Sequence, residues 1–212
     1  MISMMKTKDK IECITAFMDE QYPHVGCELF YTQDYELVIA VMLSAQTTDI
    51  SVNKVTKVLF KKYPTLESLA KADLSDIEDI IHSIGLYKNK AKNVLAIAQT
   101  LVQKYGGKLS SDKDELQKLP GVGNKTAGVI RCEIFQIPDL PVDTHILRIS
   151  KRLKLALDSD DATETELKLK KVFPKDRWIK THHQLIHFGR DICLARNPHC
   201  EKCKLSEICT KK

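Results

Sequence analysis

The sequence contains 212 residues, of which 33 are Lys or Arg and 28 are Asp or Glu, so the formal net charge is +5. This length allows one large domain or two modest ones with a buried core, and the composition excludes a disordered chain. The N-terminal segment carries scattered charges without an apolar core, and no later apolar run reaches the length of a membrane span. We therefore expect a soluble, cytoplasmic protein whose mild positive charge is compatible with a nucleic-acid partner.

Nearly every segment of the chain predicts a helix. Apolar residues recur with helical periodicity in residues 8–20, 36–46, 49–62 and 88–105. The second of these segments is apolar nearly all round, which predicts a central helix. No alternating run predicts a strand, so the expected fold class is all-α. Two prolines interrupt the helical pattern in residues 136–143, where we place the most plausible domain boundary.

Helix starts are indicated by residues that can cap the first turn. Thr65 can cap the short segment LESLA, and two pairs have capping-box spacing, Ser75 with Glu78 and Thr163 with Glu166.

A glycine-rich stretch, LPGVGNKTAGVI at residues 119–130, resembles a nucleotide-binding loop at first sight. A Walker loop requires its lysine directly after glycine, but Asn124 separates Gly123 from Lys125. The dinucleotide pattern also fails, because Gly128 comes too late and no strand pattern precedes the glycines. The stretch therefore predicts a tight turn between two helices, with backbone N–H groups that could bind one phosphate.

Two residues are candidates for a catalytic role, Lys125 within this stretch and Asp143 after it. Lys125 falls in the first turn of the second helix, where the positive end of the helix dipole lowers the pKa of an amine and favours Schiff-base formation. A solvated lysine that contacts a DNA phosphate is the alternative interpretation. Asp143 precedes a periodic helix and predicts an N-cap, which by itself would explain the residue. A carboxylate held in this way is also suited to act as a base or to stabilise a cation.

Four of the seven cysteines are close together near the C-terminus with the spacing C-x6-C-x2-C-x5-C. They are Cys193, Cys200, Cys203 and Cys209. In a reducing compartment this grouping indicates metal rather than disulfides, and the spacing suits a [4Fe–4S] cluster at least as well as zinc. Basic residues surround the cysteines, namely Arg196, His199, Lys202 and Lys204, so the metal could hold a basic loop against a phosphate backbone.

Several motifs together resemble the endonuclease III family of DNA repair glycosylases, within the helix-hairpin-helix glycosylase superfamily. They are LPGVGNKTA, VDTHILR, the four spaced cysteines, LSAQTTD at 43–49, SIGLYKNKAKNV at 83–94, HHQLIHFGRDIC at 182–193 and ARNPHCEKC at 195–203. The resemblance covers nearly the whole chain.

The resemblance implies two helical domains that flank a DNA-binding cleft. Residues 27–136 would form a six-helix barrel that contains the helix-hairpin-helix, at about 112–135. Residues 1–26 and 137–212 would form a second domain whose loop 193–209 holds one [4Fe–4S] cluster through the four cysteines.

The resemblance also implies an activity. The expected substrate is double-stranded DNA with oxidised pyrimidines or abasic sites, and we expect a monomer. Lys125 would attack C1′ of the damaged nucleotide and form an imine, and Asp143 would activate that attack or stabilise the oxocarbenium-like sugar. The strand would then be cleaved by β-elimination on the 3′ side of the lesion.

Further residues would contact DNA by position in the motifs. Gly121 and Gly123 would present backbone amides to a phosphate, and Gln46 and Leu86 would fill the gap left by the extruded nucleotide. Asn124 departs from the family, in which a basic residue is common at this place, and this difference would cost one phosphate contact.

Two rival interpretations remain. An adenine-mismatch glycosylase shares the hairpin, the aspartate and the cysteine spacing, but it usually lacks the hairpin lysine and carries a further C-terminal domain. The presence of Lys125 and the end of the sequence three residues after Cys209 therefore lead us to expect the lyase-active family. The second rival is a DNA-binding module that holds zinc in its cysteine loop and has no catalytic activity.

Overall fold

The computed structural model describes residues 6–210, which form eleven α-helices and no β-strand. The helices are α1 (Thr7–Gln21), α2 (Asp34–Leu43), α3 (Asp49–Lys62), α4 (Leu66–Ala70), α5 (Leu74–Ile81), α6 (Tyr87–Tyr105), α7 (Lys113–Gln117), α8 (Asn124–Phe135), α9 (Thr144–Arg152), α10 (Ala162–Val172) and α11 (Trp178–Asp191). Short 3-10 turns occur at Lys175–Arg177, Cys200–Lys202 and Ser206–Ile208. The all-α prediction is confirmed. Within the described range, no helix has both the length and the apolar character needed to cross a membrane.

The chain divides into two compact units. One unit is the continuous segment Glu28–Ile137, which contains α2 to α8. The other combines the described residues up to Cys27 with those from Pro138 onward, so that α1 belongs with α9, α10 and α11.

Helix α2 is the central element of the continuous unit. Its residues from Tyr35 to Leu43 are all buried, and it packs against α3, α6 and α8. A helix that is apolar on every side is stable only with neighbours around it, so the predicted central position is confirmed. The predicted extension to residue 46 is wrong, because the helix ends at Leu43 and the backbone of Gln46 has a left-handed φ of 55°.

The remaining helices of this unit support α2 and form the hairpin. The long helix α6 packs against α4 and α5, and α7 pairs with α8. The side chain of Thr65 accepts a hydrogen bond from the N–H of Ser68 at the start of α4, which confirms the predicted cap. The hairpin α7–turn–α8 lies within the predicted region, about residues 112–135.

The other unit is built around an apolar core shared by α1, α9, α10 and α11. At its centre the rings of Phe17 and Phe188 meet edge to face, with centroids 5.6 Å apart. Ionic contacts join α1 to α11 and the turn before it, because Asp19 of α1 accepts a hydrogen bond from Arg177 and contacts Lys180 at 2.7 Å. The Arg177 guanidinium is the main cause that holds the pKa of Asp19 well below its ordinary value.

Two predicted capping boxes are wrong. The box at Ser75 does not form, because the N-cap of α5 lies two residues earlier, at Asp73. The box at Thr163 is displaced by two residues, since Asp161 and Glu164 exchange the reciprocal hydrogen bonds that begin α10.

Candidate functional site

The turn between α7 and α8 requires glycine at one of its two hairpin positions. Gly121 has a φ of 76°, which side chains of L-residues disfavour. A Cβ added there would lie 2.6 Å from Asn93 Nδ2 and 3.0 Å from Met42 Cγ, so the turn packs directly against α6 and α2. Gly123 has no atom within 4 Å of an added Cβ, which leaves open space in front of the helix N-terminus.

The N-terminus of α8 is suited to bind an anion. Gly123 is its N-cap residue and supplies no side-chain oxygen to the first N–H groups of the helix. These groups carry the positive end of the helix dipole, and a phosphate oxygen can approach them because glycine places no side chain in the way. The predicted phosphate-binding geometry is therefore available at Gly121 and Gly123.

Lys125 lies in the first turn of α8, as predicted, and its side chain is exposed. Within the described residues 6–210, no hydrogen bond or ion pair engages its amine. An amine without a carboxylate partner is available to a ligand, which is a condition for nucleophilic attack. Asn124 is also exposed at the start of the helix.

Asp143 occupies the N-cap position of α9, which confirms the predicted cap. Its Oδ1 accepts a hydrogen bond of 2.8 Å from the N–H of Ile146, and the residue is half-buried. The chain before it is also held, because the buried His182 on α11 contacts the carbonyl oxygen of Pro141 through Nδ1 at 2.8 Å. The carboxylate is therefore fixed by the helix that it caps and by the segment that precedes it.

Gln46 and Leu86 share an unusual backbone conformation. Both are non-glycine residues with a positive φ, 55° and 59° respectively, and both side chains are exposed. Leu86, the N-cap residue of α6, is 64% exposed although it is a large apolar residue. Residues held in sparsely populated conformations cluster at functional sites, which makes these two exposed side chains candidates for a binding site.

The four cysteines line one pocket in the unit that contains α9 and α11. The pocket has an empty volume of about 400 Å³, open solvent included, and its apolar wall is formed by Leu153, Phe188 and Ile192. Burial is the largest cause that raises the pKa of the Cys203 thiol, and electrostatic interaction with the other three cysteines raises it further. Within the described part of the chain, no three metal-binding side chains are close enough to share a single ion.

Two arginines of α9 bind the chain that leads into this pocket. Arg148 donates to the carbonyl oxygens of Gly189 and Cys193, each at 2.9 Å through one nitrogen. Arg152, one turn later, donates to the sulfur of Cys193 at 3.0 Å and to the carbonyl oxygen of Leu194 at 2.8 Å. A cationic donor to sulfur stabilises a thiolate, so the pocket fits a metal group held by thiolates.

Close packing accompanies these hydrogen bonds. A Cβ at Gly189 would lie 2.8 Å from the Cβ of His145 and 3.2 Å from a guanidinium nitrogen of Arg148. Glycine at this position therefore lets α11 approach α9, the helix that Asp143 caps. The motif VDTHILR contains Arg148. The carbonyl partners of Arg148 and Arg152, however, lie 41 to 45 residues away in the chain, and no local pattern predicts such contacts.

The predicted basic residues of the cysteine loop differ in their surroundings. Arg196 and Lys202 are exposed. Lys204 is also exposed, but its amine forms an ion pair with Glu20 at 2.5 Å. Exposed ion pairs are weak, so Lys204 can exchange this partner for a phosphate at little cost.

Comparison with known proteins decides the family. Residues 39–175 match the HhH-GPD superfamily of base excision DNA repair proteins. An endonuclease III of Bacillus subtilis is 45% identical over 200 residues, which cover 94% of this chain and 91% of the relative. The chain belongs to the endonuclease III family.

Other endonuclease III proteins agree with this assignment. The protein of Escherichia coli K12 is 37% identical over 208 residues, which cover 98% of both chains. A solved endonuclease III, trapped with DNA as a covalent intermediate in an estranged-adenine complex, superimposes with a TM-score of 0.92. It is 44% identical, and the match covers 98% of this chain and 97% of the solved one.

The resemblance found in the sequence, including the helix-hairpin-helix motif, is thereby confirmed. The endonuclease III family consists of DNA glycosylases that act in base excision repair.

Proposed function

We propose that this endonuclease III family member removes oxidised pyrimidines from duplex DNA and then cleaves the resulting abasic site by β-elimination. The single observation that carries the proposal is the amine of Lys125, which is exposed in the first turn after the glycine hairpin and has no partner among residues 6–210. The trapped covalent intermediate of a related endonuclease III with DNA supports a nucleophile on this fold. We propose that the protein acts as a monomer.

In the proposed reaction, the amine of Lys125 attacks C1′ of the damaged nucleotide and the base leaves. The amine and the opened sugar then form an imine, which makes a proton on C2′ acidic. Loss of this proton expels the 3′ phosphate and cuts the strand. Asp143 activates the attack or stabilises positive charge on the sugar, because its carboxylate is held in place by the N–H of Ile146.

Binding to DNA is assigned to several surfaces. The open N-terminus of α8 at Gly121 and Gly123 binds a backbone phosphate. Gln46 and Leu86 occupy the gap in the duplex after the damaged nucleotide leaves the stack, an event that costs a few kcal/mol. Arg196, Lys202 and Lys204 contribute positive charge near phosphates.

We also propose that one [4Fe–4S] cluster is held by Cys193, Cys200, Cys203 and Cys209. These cysteines lie in a domain formed by residues 1–26 and 137–212. Residues 27–136 form the other domain, which contains the hairpin. When bound, the cluster would brace the basic loop. The pocket lined by the four cysteines, its apolar wall and the contact from Arg152 to Cys193 are compatible with a multi-atom cluster held by thiolates.

The cofactor proposal predicts a yellow-brown protein with a broad visible absorption band and about four iron atoms per chain. Absorption spectroscopy and metal analysis of the protein purified without air measure both properties. A colourless protein with stoichiometric zinc would contradict the cluster assignment and favour a zinc-containing DNA-binding module.

The activity proposal is tested with two labelled duplexes that are identical except for one thymine glycol. We expect release of the damaged base and a cut strand that ends in an unsaturated aldehyde, with no cleavage of the undamaged duplex. Base release that leaves the strand intact would contradict the lyase step. Binding without either product would contradict the glycosylase assignment.

A further inference from the structure

Lys90 is a buried lysine that the proposed chemistry does not use. It lies on α6 and is only 5% exposed, which is rare for lysine because its charge must be compensated. Its amine donates to the carbonyl oxygen of Leu43 at 2.9 Å, the carbonyl oxygen of Ala45 at 2.8 Å and the hydroxyl of Thr47 at 2.8 Å. An ammonium group has three N–H donors, so this set of oxygens satisfies all of them.

The oxygens around Lys90 favour the charged form of its amine. Burial lowers the pKa of its amine. The three oxygens act in the opposite direction, because the carbonyls can only accept and the Thr47 hydroxyl contacts the carbonyl of Ala45. Leu43 is the last residue of α2, whose terminal carbonyls carry the negative end of the helix dipole. The buried cation is therefore stabilised by the end of one helix and the turn that follows it.

These contacts enclose Gln46. Lys90 binds the residue before Gln46 and the residue after it, and Gln46 itself has the left-handed φ of 55°. This conformation is uncommon for non-glycine residues and persists where the surrounding structure holds it. The ammonium of Lys90 thus holds the turn in the shape that exposes the Gln46 side chain.

The same residue also contacts the second exposed turn. The backbone N–H of Lys90 donates to the carbonyl oxygen of Leu86 at 3.0 Å, in the first turn of α6. Leu86 has a φ of 59°. One residue therefore connects the two exposed turns, one through its side chain and the other through its backbone.

We propose that Lys90 is a positioning residue that sets Gln46 relative to Leu86, so that both side chains can fill the gap left by an extruded nucleotide. The inference rests on the proposed function. It assigns to Lys90 no contact with DNA and no part in bond breaking. Its effect should appear only in steps that require the damaged nucleotide to leave the stack.

The test is a double-mutant cycle in single-turnover assays. Lys90→Met keeps an apolar side chain of similar length and removes all three donors. We expect excision of thymine glycol to slow by about 10-fold or more, the scale expected for lost hydrogen bonds from a charged group. Cleavage of a preformed abasic site should slow by less than about 3-fold, because no base must be unstacked there.

The cycle distinguishes positioning from general stability. Gln46→Ala should slow excision to a similar extent, and adding Lys90→Met to it should cause little further loss if Lys90 acts through Gln46. Lys104→Met is the matched control, since Lys104 is an exposed lysine of the same helix. Its excision rate should equal that of the wild type.

A milder substitution allows the test to be made even if Lys90→Met does not fold. Thr47→Val keeps the shape of the side chain but removes one acceptor, and it should show the same selective loss at a smaller size, about 3-fold. Thermal unfolding shows whether Lys90→Met is folded. If it is not, the relative losses of Thr47→Val on the two substrates test the positioning role.

The positioning role would be overturned if Lys90→Met slowed thymine glycol excision and abasic-site cleavage by the same factor. It would also be overturned if the rate losses of Lys90→Met and Gln46→Ala multiplied in the double variant. A wild-type protein inactive on both duplexes would instead contradict the proposed function.

Discussion

Replacing Lys125 with alanine is expected to abolish strand cleavage at an abasic site, by roughly 10³-fold or more, as for the loss of other covalent nucleophiles. The side chain is exposed and forms no ion pair within the described residues, so its removal should leave the fold intact. Single-turnover cleavage of a labelled abasic duplex measures the effect, and thermal unfolding checks the fold.

Lys104→Ala serves as the control for Lys125, because it also removes one exposed positive charge from the unit Glu28–Ile137. Its cleavage rate should remain within about 2-fold of the wild type, as expected for an exposed charge that has no part in the proposed reaction. If both variants slow to the same extent, Lys125 acts only as a positive charge near DNA, which is the alternative interpretation of this residue.

Asp143→Asn is expected to reduce base excision by about 10²- to 10⁴-fold, the usual contribution of an acid or base. Asparagine caps helices as well as aspartate does, so the hydrogen bond to Ile146 and the stability of α9 should persist. Binding to an undamaged duplex should also be unchanged. The measurements are single-turnover excision, duplex binding and thermal unfolding.

A second N-cap provides the matched control for Asp143. Asp161 caps α10 through a hydrogen bond of 2.8 Å to the N–H of Glu164, and it is exposed. Asp161→Asn should therefore retain full activity. Near wild-type excision by Asp143→Asn would reduce Asp143 to a structural cap, and equal losses in both variants would point to helix stability rather than chemistry.

Much of the site could be predicted from local sequence, because helix starts depend on adjacent residues. The cap at Asp143, the first-turn position of Lys125 and the hairpin glycines all follow from short-range rules. The capping boxes show the limit of such rules. Asp161 and Thr163 both precede an acidic residue by three positions, so this spacing does not distinguish them, and the folded chain caps α10 with Asp161.

The contacts that hold the site could not be predicted in this way. The carbonyl oxygen of Leu43 at the end of α2 accepts a hydrogen bond from an ammonium that comes 47 residues later in the chain. The anchoring of Cys193 likewise depends on Arg148 and Arg152, which precede it by 45 and 41 residues. Side-chain bonds to distant carbonyls leave no periodic pattern, so only the folded chain reveals them.

The central claim is that Lys125 forms a covalent bond with the sugar, and borohydride trapping tests it most directly. Wild-type protein and duplex DNA with an abasic site are mixed in the presence of borohydride, and the digested adduct is mapped by mass spectrometry. The account predicts one stable adduct, located on Lys125 and missing from Lys125→Ala. An adduct on another residue, or no adduct from a protein that cleaves the strand, would contradict it.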